Sequence, residues 1–329
     1  MQRVLYEAKA IFLHLTQIYS FSVKVISSIE NYVPDRSCVL TIGTFDGVHL
    51  GHRKIIDRLV TTAKQGKHLS VVLTFFPHPR MVLQKDQSIK LIDTLEEKKE
   101  FFAQLGVDVL VIHPFSKEFS RQTSSRFIRD ILVNTFQIAH LIIGYDHRFG
   151  RNREATVEDL ELAGQTYGFT VEQIEAQEIS SVNVSSTKIR RALAEGDVKK
   201  AANYLQRPFV LQGKVVEGDQ IGRTIGFPTA NLTLEENYKL LPADGVYFIR
   251  TEIDEQTHHG MMNIGYRPTM KGKKHRLEVH LFEFQKDLYG QVLRLELLDF
   301  IRKEKKFDSP TALKSQLEVD KQQCLNLIP

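Results

Sequence analysis

The sequence lacks several features that mark particular classes of protein. It has no tryptophan and two cysteines, Cys38 and Cys324, which lie far apart in a chain of 329 residues. This spacing argues against a disulfide framework and a cysteine-bound zinc ion, and it favours the reducing cytosol. No apolar run is long enough to span a membrane, and the first residues do not follow the pattern of a secretory signal. We therefore expect a cytoplasmic protein without a membrane partner.

The sequence also lacks a strong charge of either sign. Its 44 lysine and arginine residues and 40 aspartate and glutamate residues give a formal net charge of +4. Such a mild excess suits anionic small molecules, and no basic tract is dense enough to favour nucleic acid. With 42% hydrophobic residues the chain can bury large cores, and its length favours two domains. We expect a monomer or a weak homo-oligomer with no nucleic-acid partner.

The first half of the chain alternates short apolar runs with amphipathic stretches. The runs typical of strands are Val39–Ile42, Leu69–Phe75, Val107–Ile112, Leu141–Ile143 and Phe169–Ile174. The stretches typical of helices include Ile55–Lys64, Glu96–Leu105 and Arg126–Asn134. This alternation predicts an α/β domain with a Rossmann-like parallel sheet covered by helices. Ligands of such sheets bind beyond the carboxyl ends of the strands.

After Pro208 the pattern changes to short strands separated by Gly, Asp and Pro turns. The predicted strands are Phe209–Val216, Gly245–Ile253, Gly260–Ile264, Arg276–Phe284 and Val292–Phe300. They predict an antiparallel β-barrel or sandwich, followed by a terminal helix with Ser309 as its cap and Pro310 in its first turn. We expect an N-terminal extension at residues 1–23, a first domain at 24–206 that ends in a helix from about Thr187, and a second domain at 207–329.

Residues 41–52 join the first predicted strand to a helix and carry two histidines, His49 and His52. A helix start has free N–H groups and partial positive charge, so it suits an anion, and two imidazoles one turn apart can donate to the same anion. Glycines permit close backbone approach there: Gly43, Gly47 and Gly51. The pair could instead bind zinc, but no further ligand follows at short spacing. We interpret the pair as a phosphate-binding site.

Three further segments fall at strand ends or helix starts. His78 follows the second strand, and Asp146 and Arg148 follow a later one in Gly144–Gly150. By itself, His78 would be a surface turn residue. Residues 185–190, Ser-Ser-Thr-Lys-Ile-Arg, open a helix, where hydroxyls either cap the helix or bind phosphate oxygens.

These four segments resemble the His-x-Gly-His nucleotidyltransferases, in the form found in the FMN adenylyltransferase half of bacterial FAD synthetases. The resemblance implies that His49 and His52 contact the phosphates of ATP and stabilise the transition state. It implies further ATP contacts at Gly43, Phe45, Asp46, Ser186, Thr187 and Arg190. It also implies flavin contacts at His78 and Asp146, and an FMN adenylyltransferase domain at residues 24–206.

The second half has its own glycine-rich segment at residues 218–231, Gly-Asp-Gln-Ile-Gly-Arg-Thr-Ile-Gly-Phe-Pro-Thr-Ala-Asn. Spaced glycines such as Gly218, Gly222 and Gly226 let the backbone wrap phosphates. Thr229 and Asn231 face one side of an extended chain, and their oxygens suit Mg²⁺. The alternative is a glycine-rich hairpin with an Asn turn.

This segment resembles riboflavin kinases, and the resemblance continues through three later stretches. They are residues 242–247, residues 262–269 and residues 277–281, the last followed by Asp-Leu-Tyr-Gly at 287–290. The resemblance implies that Glu278 is the catalytic base, that Thr229 and Asn231 hold Mg²⁺ and phosphate, and that the three glycines bind ATP. It implies a riboflavin kinase domain at residues 207–329. The whole chain is then expected to convert riboflavin to FMN and FMN to FAD, with ATP as co-substrate in both steps.

The chain departs from the family pattern at His147, at residues 153–156 and at Gln206, where a glycine is common. Two other functions stay open from the sequence. One is an enzyme that adenylylates another phosphate-bearing substrate, such as phosphopantetheine, beside a degenerate kinase half. The other is a non-catalytic flavin- or RNA-binding regulator.

Overall fold

The structure is a computed structural model that describes residues 22–84, 89–145, 148–151, 155–175, 184–218, 222, 225–269 and 272–328. Its contacts divide the chain into two compact units that do not follow chain order. One unit is Met1–Thr44, Ile55–Leu83 and Glu96–Glu175, and the other is Phe45–Lys54, Gln84–Leu95 and Ala176–Pro329. Most of the predicted extension at 1–23 lies outside the described residues, and the predicted boundary after Gln206 stays a prediction.

The first unit contains a six-stranded parallel sheet in the order β1-β4-β3-β2-β5-β6. Its strands are β1 Lys24–Ile26, β2 Cys38–Ile42, β3 Leu69–Phe75, β4 Val109–His113, β5 Ile138–Gly144 and β6 Thr170–Ile174. The predicted parallel sheet is confirmed. The prediction missed β1, because three edge residues are too few for an alternating pattern to be recognised.

Helices follow most of these strands, as the amphipathic stretches predicted. They are α1 Leu50–Gly66, α2 Pro79–Leu83, α3 Leu95–Gln104, α4 Ser124–Arg126 continuing as the π-helix Phe127–Thr135, α5 Val157–Tyr167, α6 Ser186–Ala194 and α7 Val198–Leu205. The core of the first unit lies under the sheet and includes Leu40, Leu73, Leu132 and Leu141.

The single helix predicted from about Thr187 is in fact the pair α6 and α7. Gly196 takes a left-handed conformation with φ 82°, which ends the first helix, and Asp197 caps the second. Gln206 ends α7 with φ 56°, also left-handed. Glycine adopts this conformation without the steric cost that a side chain such as that of Gln206 carries.

The second half of the chain forms a closed antiparallel barrel in the order β10-β11-β8-β7-β12-β9. Its strands are β7 Phe209–Val216, β8 Ala230–Thr233, β9 Gly245–Ile253, β10 Gln256–Thr269, β11 Gly272–Leu281 and β12 Val292–Lys303. The terminal helix α8, Pro310–Leu325, is confirmed with its cap, because the Ser309 side chain accepts from the Ala312 N–H. The prediction missed β8, because its first two residues belong to the glycine-rich segment.

Within the described residues no helix combines the length and the apolar character that crossing a membrane requires.

Candidate active sites

The first candidate site begins where β2 ends, at the centre of the parallel sheet. The chain runs from β2 through β3 and β4 on one side, and β5 lies on the other side, so β2 is at the switch point of the topology. Crevices at such switch points are the usual ligand sites of open α/β sheets. Gly43 follows β2 directly, and its N–H donates to the Leu73 carbonyl at 3.0 Å.

His49 and His52 form a stacked pair at the start of α1. Their ring centroids are 3.7 Å apart with 14° between the planes, and Phe45 packs edge-on against His52 at 5.2 Å. His49 precedes the first helical residue, and its Nδ1 accepts from the His52 N–H at 3.4 Å. Nδ1 is therefore an acceptor, which leaves Nε2 of the neutral ring to carry the hydrogen. Burial lowers the pKa of His49 to about 4, although Asp46 acts in the opposite direction.

Asp46, which shortly precedes α1, contacts two residues of α6. Its backbone carbonyl accepts from the Ser186 hydroxyl at 2.8 Å, and its carboxylate pairs with the Arg190 guanidinium. Arg190 also donates to the carbonyl of Lys90. Because α6 begins at Ser186 and α1 follows Asp46 closely, these contacts hold the amino ends of two helices, with their partial positive charge, in one region.

Several predicted residues of this site have other surroundings. Ser185 caps α6 by accepting from the Lys188 N–H, and Thr187 is exposed in the first turn. His78 directly precedes α2, where its Nδ1 accepts from the Arg80 N–H at 3.1 Å. Asp146 lies outside the described residues, as do His147 and residues 152–154.

The zinc alternative for the histidine pair would require further ligands. In the part of the chain with described positions, no group of three or more His, Cys, Asp and Glu residues is arranged to hold a metal ion.

The second candidate site is a cavity of about 380 Å³ on the outer face of the barrel, against the terminal helix. Its walls include Thr229, Asn231, Asn263, Arg276, Glu278 and His280. A neighbouring cavity of about 90 Å³ has mostly apolar walls that include Val215, Pro228, Val279, Leu281, Phe284 and Leu288. Thr229 lines both cavities.

Glu278 lies between two asparagines on one wall of the larger cavity. The strand register pairs it with Asn263 on β10 and with Asn231 on β8, so the three side chains share a face. Arg276 joins two of them, because its Nε lies 3.0 Å from a Glu278 carboxylate oxygen and donates to Asn231 Oδ1 at 2.8 Å. The guanidinium thereby fixes the orientation of the carboxylate and the carboxamide.

Two of the predicted glycines are required by close packing. A Cβ on Gly218 would lie 1.8 Å from Asn231 Nδ2, and a Cβ on Gly222 would lie 2.1 Å from the Phe227 carbonyl oxygen. Such distances are far inside van der Waals contact, so a side chain at either position would displace its neighbour. The glycine-rich segment therefore folds directly against Asn231.

Sequence reasoning missed Arg276, Asn263 and His280 as site residues. Arg276 stands two positions before Glu278, and His280 stands two positions after it. Because side chains alternate between the two faces of a strand, this spacing could have placed Arg276, Glu278 and His280 on one face. Burial lowers the pKa of His280, whose Nδ1 lies 2.8 Å from the Pro228 carbonyl oxygen. No sequence signal reveals that contact, since it joins segments that are 52 positions apart.

Comparison with known proteins identifies the family of each half of the chain. The FAD synthetase family profile matches residues 33–188, and the riboflavin kinase profile matches residues 205–328. The bifunctional riboflavin kinase/FMN adenylyltransferase of Escherichia coli (strain K12) is 38% identical over 301 residues, which cover 91% of this chain and 96% of the relative. The same protein of Bacillus subtilis (strain 168) is 36% identical over 293 residues, covering 87% and 91%.

A solved structure also resembles the whole chain. The crystal structure of a macrolide-efflux protein from Streptococcus pneumoniae is similar with a TM-score of 0.84 and 32% identity, over 92% of this chain and 99% of that chain. The two relatives are 38% and 36% identical over 91% and 87% of this chain, which is enough to establish homology. The chain belongs to the family of bifunctional riboflavin kinase/FMN adenylyltransferases.

Proposed function

We propose a set of residues that carries out the two reactions of this family. In the first, riboflavin takes the γ-phosphoryl group of ATP and becomes FMN. In the second, FMN takes AMP from another ATP and becomes FAD, with release of pyrophosphate. We assign the first reaction to residues 207–329 and the second to residues 24–206.

The placement of Glu278 between Asn231 and Asn263 carries the kinase proposal. The larger cavity has the size of a small-molecule site, and Glu278 is its half-buried carboxylate within reach of a bound ligand. Glu278 accepts the proton of the ribityl 5′-hydroxyl as that oxygen attacks the γ-phosphorus and ADP leaves. Arg276 holds the carboxylate in place and lies close to where phosphate charge arrives.

Thr229 and Asn231 have the oxygens to hold Mg²⁺ with the phosphates of ATP. Asn231 Oδ1 uses one lone pair on Arg276 and keeps another, and Thr229 lines the same cavity as Asn231. Neutral oxygen donors supplemented by phosphate oxygens are a donor set that Mg²⁺ accepts. When bound, the ion neutralises charge on the transferred phosphoryl group. We propose that the phosphates lie in the larger cavity along the backbone of Gly222, beside Thr229 and Asn231, with Gly218 and Gly226 completing the same loop.

The adenylyl transfer needs no catalytic base, because the FMN phosphate is already an anionic nucleophile. The task of the protein is to stabilise charge on the α-phosphate and on the leaving pyrophosphate. His49 supports this role as a neutral ring with Nε2–H free to donate, stacked on His52 at a helix start. An incoming phosphate raises the affinity of the His49 ring for a proton, which strengthens the interaction as charge develops.

The remaining predicted contacts belong to the same proposal. Ser186 and Thr187 present helix N–H groups and hydroxyls to ATP, and Arg190 adds positive charge while it pairs with Asp46. Gly43 and Phe45 border the nucleotide, and His78 and Asp146 border the flavin.

A chromatographic assay of riboflavin with ATP and Mg²⁺, following FMN and FAD over time, tests the proposal. Glu278→Gln should lower riboflavin phosphorylation by about 10²–10⁴-fold, the usual contribution of a general base, while supplied FMN is still adenylylated. The double variant His49→Ala, His52→Ala should abolish FAD formation and leave FMN formation nearly intact. Removal of Mg²⁺ by a chelator should stop FMN formation.

Matched controls separate these effects from general damage. Glu296→Gln removes a strand carboxylate that pairs with Arg250 at 2.7 Å outside the cavities, and His68→Ala removes a histidine before the amino end of β3. Both should keep both activities. Loss of both activities in a folded Glu278→Gln protein would contradict the separation of sites, and adenylylation of phosphopantetheine rather than FMN would favour the first alternative. Flavin binding without ATP turnover would favour a regulator.

A further inference from the structure

A short segment of the first half of the chain, residues 90–95, pairs with the second half. Leu91 bridges to Lys239, its N–H donates to the Tyr238 carbonyl at 2.6 Å, and its carbonyl accepts from the Leu240 N–H at 2.7 Å. This supporting segment belongs to the same compact unit as the histidine pair and the barrel.

On its other side the supporting segment holds the chain that precedes the histidines. The Ile92 N–H donates to Asp46 Oδ1 at 2.8 Å. The Ile92 side chain packs so closely on Gly47 that a Cβ there would lie 3.1 Å from Ile92 Cδ1. Asp46 and Gly47 come three and two residues before His49, so a shift of Ile92 shifts the start of α1.

Lys239 fixes Ile92 from the second half of the chain. Its side-chain ammonium donates to the Ile92 carbonyl at 2.8 Å and lies 4.6 Å from the centre of the Phe209 ring, although the residue is only 4% exposed. Burying an ammonium group is costly unless hydrogen bonds compensate. Lys239 lines neither barrel cavity, so a direct role in the kinase site does not account for it.

We propose that Lys239 is a positioning residue for FMN adenylylation. Through Ile92 and Asp46 it holds the His49 and His52 rings in line with the phosphates, so the half that makes FMN completes the site that consumes it. This inference rests on the proposed role of the two histidines. It places a determinant of the second reaction beyond residue 206, where the predicted adenylyltransferase domain ends.

The test is Lys239→Met in the full-length chain, which keeps the apolar stem and removes the donor. The kcat of FMN adenylylation should fall about tenfold, because misplacement of catalytic groups by an ångström has effects of this order or larger. The KM for FMN should stay near the wild-type value, and riboflavin phosphorylation in the same preparation should stay within about twofold. Lys199→Met is the matched control: Lys199 donates to Asp299 Oδ2 at 2.6 Å from a side chain that is 62% exposed, and both activities should persist.

Three results would overturn the proposal. They are a folded Lys239→Met protein that adenylylates FMN at the wild-type rate, an equal loss of both activities, and a rise in KM alone. If Lys239→Met does not fold, Lys239→Gln is the second variant. Its shorter side chain keeps a polar group but withdraws it from the Ile92 carbonyl, and the same selective loss of FMN adenylylation is expected. A wild-type chain that forms no FAD would instead refute the proposed function, so the two failures are distinguishable.

Discussion

Acidification should destabilise this protein through His49, because the folded state holds that ring as a neutral group. The residue is 6% exposed, and its burial lowers the pKa from an ordinary 6.5 to about 4. In the unfolded chain the pKa returns to about 6.5. Between these two values the unfolded state binds a proton that the folded state excludes, so stability is complete above pH 6.5 and falls as the pH decreases toward 4.

The size of the effect follows from the shift. Each pKa unit corresponds to about 1.36 kcal/mol, so the full shift is worth about 3 kcal/mol of unfolding free energy. About 2 kcal/mol of this is lost between pH 7 and pH 5. Burial also lowers the pKa values of His113, His259 and His280, so the total acid sensitivity of the protein exceeds the part due to His49.

The comparison of wild type with His49→Asn isolates this residue. The asparagine carboxamide can accept from the His52 N–H and so keep the helix cap, but it does not titrate. Urea unfolding followed by circular dichroism at pH 7 and pH 5 should show that the variant loses about 2 kcal/mol less than wild type. The other histidines contribute equally to both proteins and cancel. Equal losses in the two proteins would refute the conclusion that His49 is buried in its neutral form.

Two further predictions concern the barrel. Gly218→Ala should lower riboflavin phosphorylation by about tenfold or more, with little effect on FMN adenylylation, because the added Cβ would lie 1.8 Å from Asn231 Nδ2 and must displace that side chain. Steady-state rates with riboflavin and with FMN check this prediction. An unchanged kinase rate would mean that Asn231 is not held in that position. His280→Asn keeps a hydrogen-bond donor in the place of Nδ1, facing the Pro228 carbonyl, whereas His280→Gln moves the donor away. The kinase kcat should therefore fall in the glutamine variant and be preserved in the asparagine variant. Equal rates in the two variants would contradict a role for this hydrogen bond.

Local patterns in the sequence were sufficient to predict the two kinds of architecture. The parallel sheet is confirmed because its central strands are buried on both faces and show as continuous apolar runs, such as Val39–Ile42. The terminal helix is confirmed because Ser309 and Pro310 supply a local start signal. Elements whose signals are short or masked by glycine were missed, namely β1 and β8.

The candidate site residues were predicted from motif spacing and, for most of them, from the family resemblance, but their surroundings were not. Asp46 and Arg190 were both expected to contact ATP, and the structure shows that they pair with each other across 144 positions of sequence. Arg276 carried no motif signal of its own, yet it joins Glu278 to Asn231. Such partners depend on strand register and on helix packing, which no local window contains.

The sequence by itself determined the two kinds of architecture and the family, because hydrophobic period, helix caps and motif spacing act over a few residues. Only the tertiary structure decided that buried Lys239 of the second half donates to the Ile92 carbonyl of the first. Residues 92 and 239 meet because the barrel and residues 90–95 fold as one unit, and contact at that separation is a property of packing rather than of local sequence.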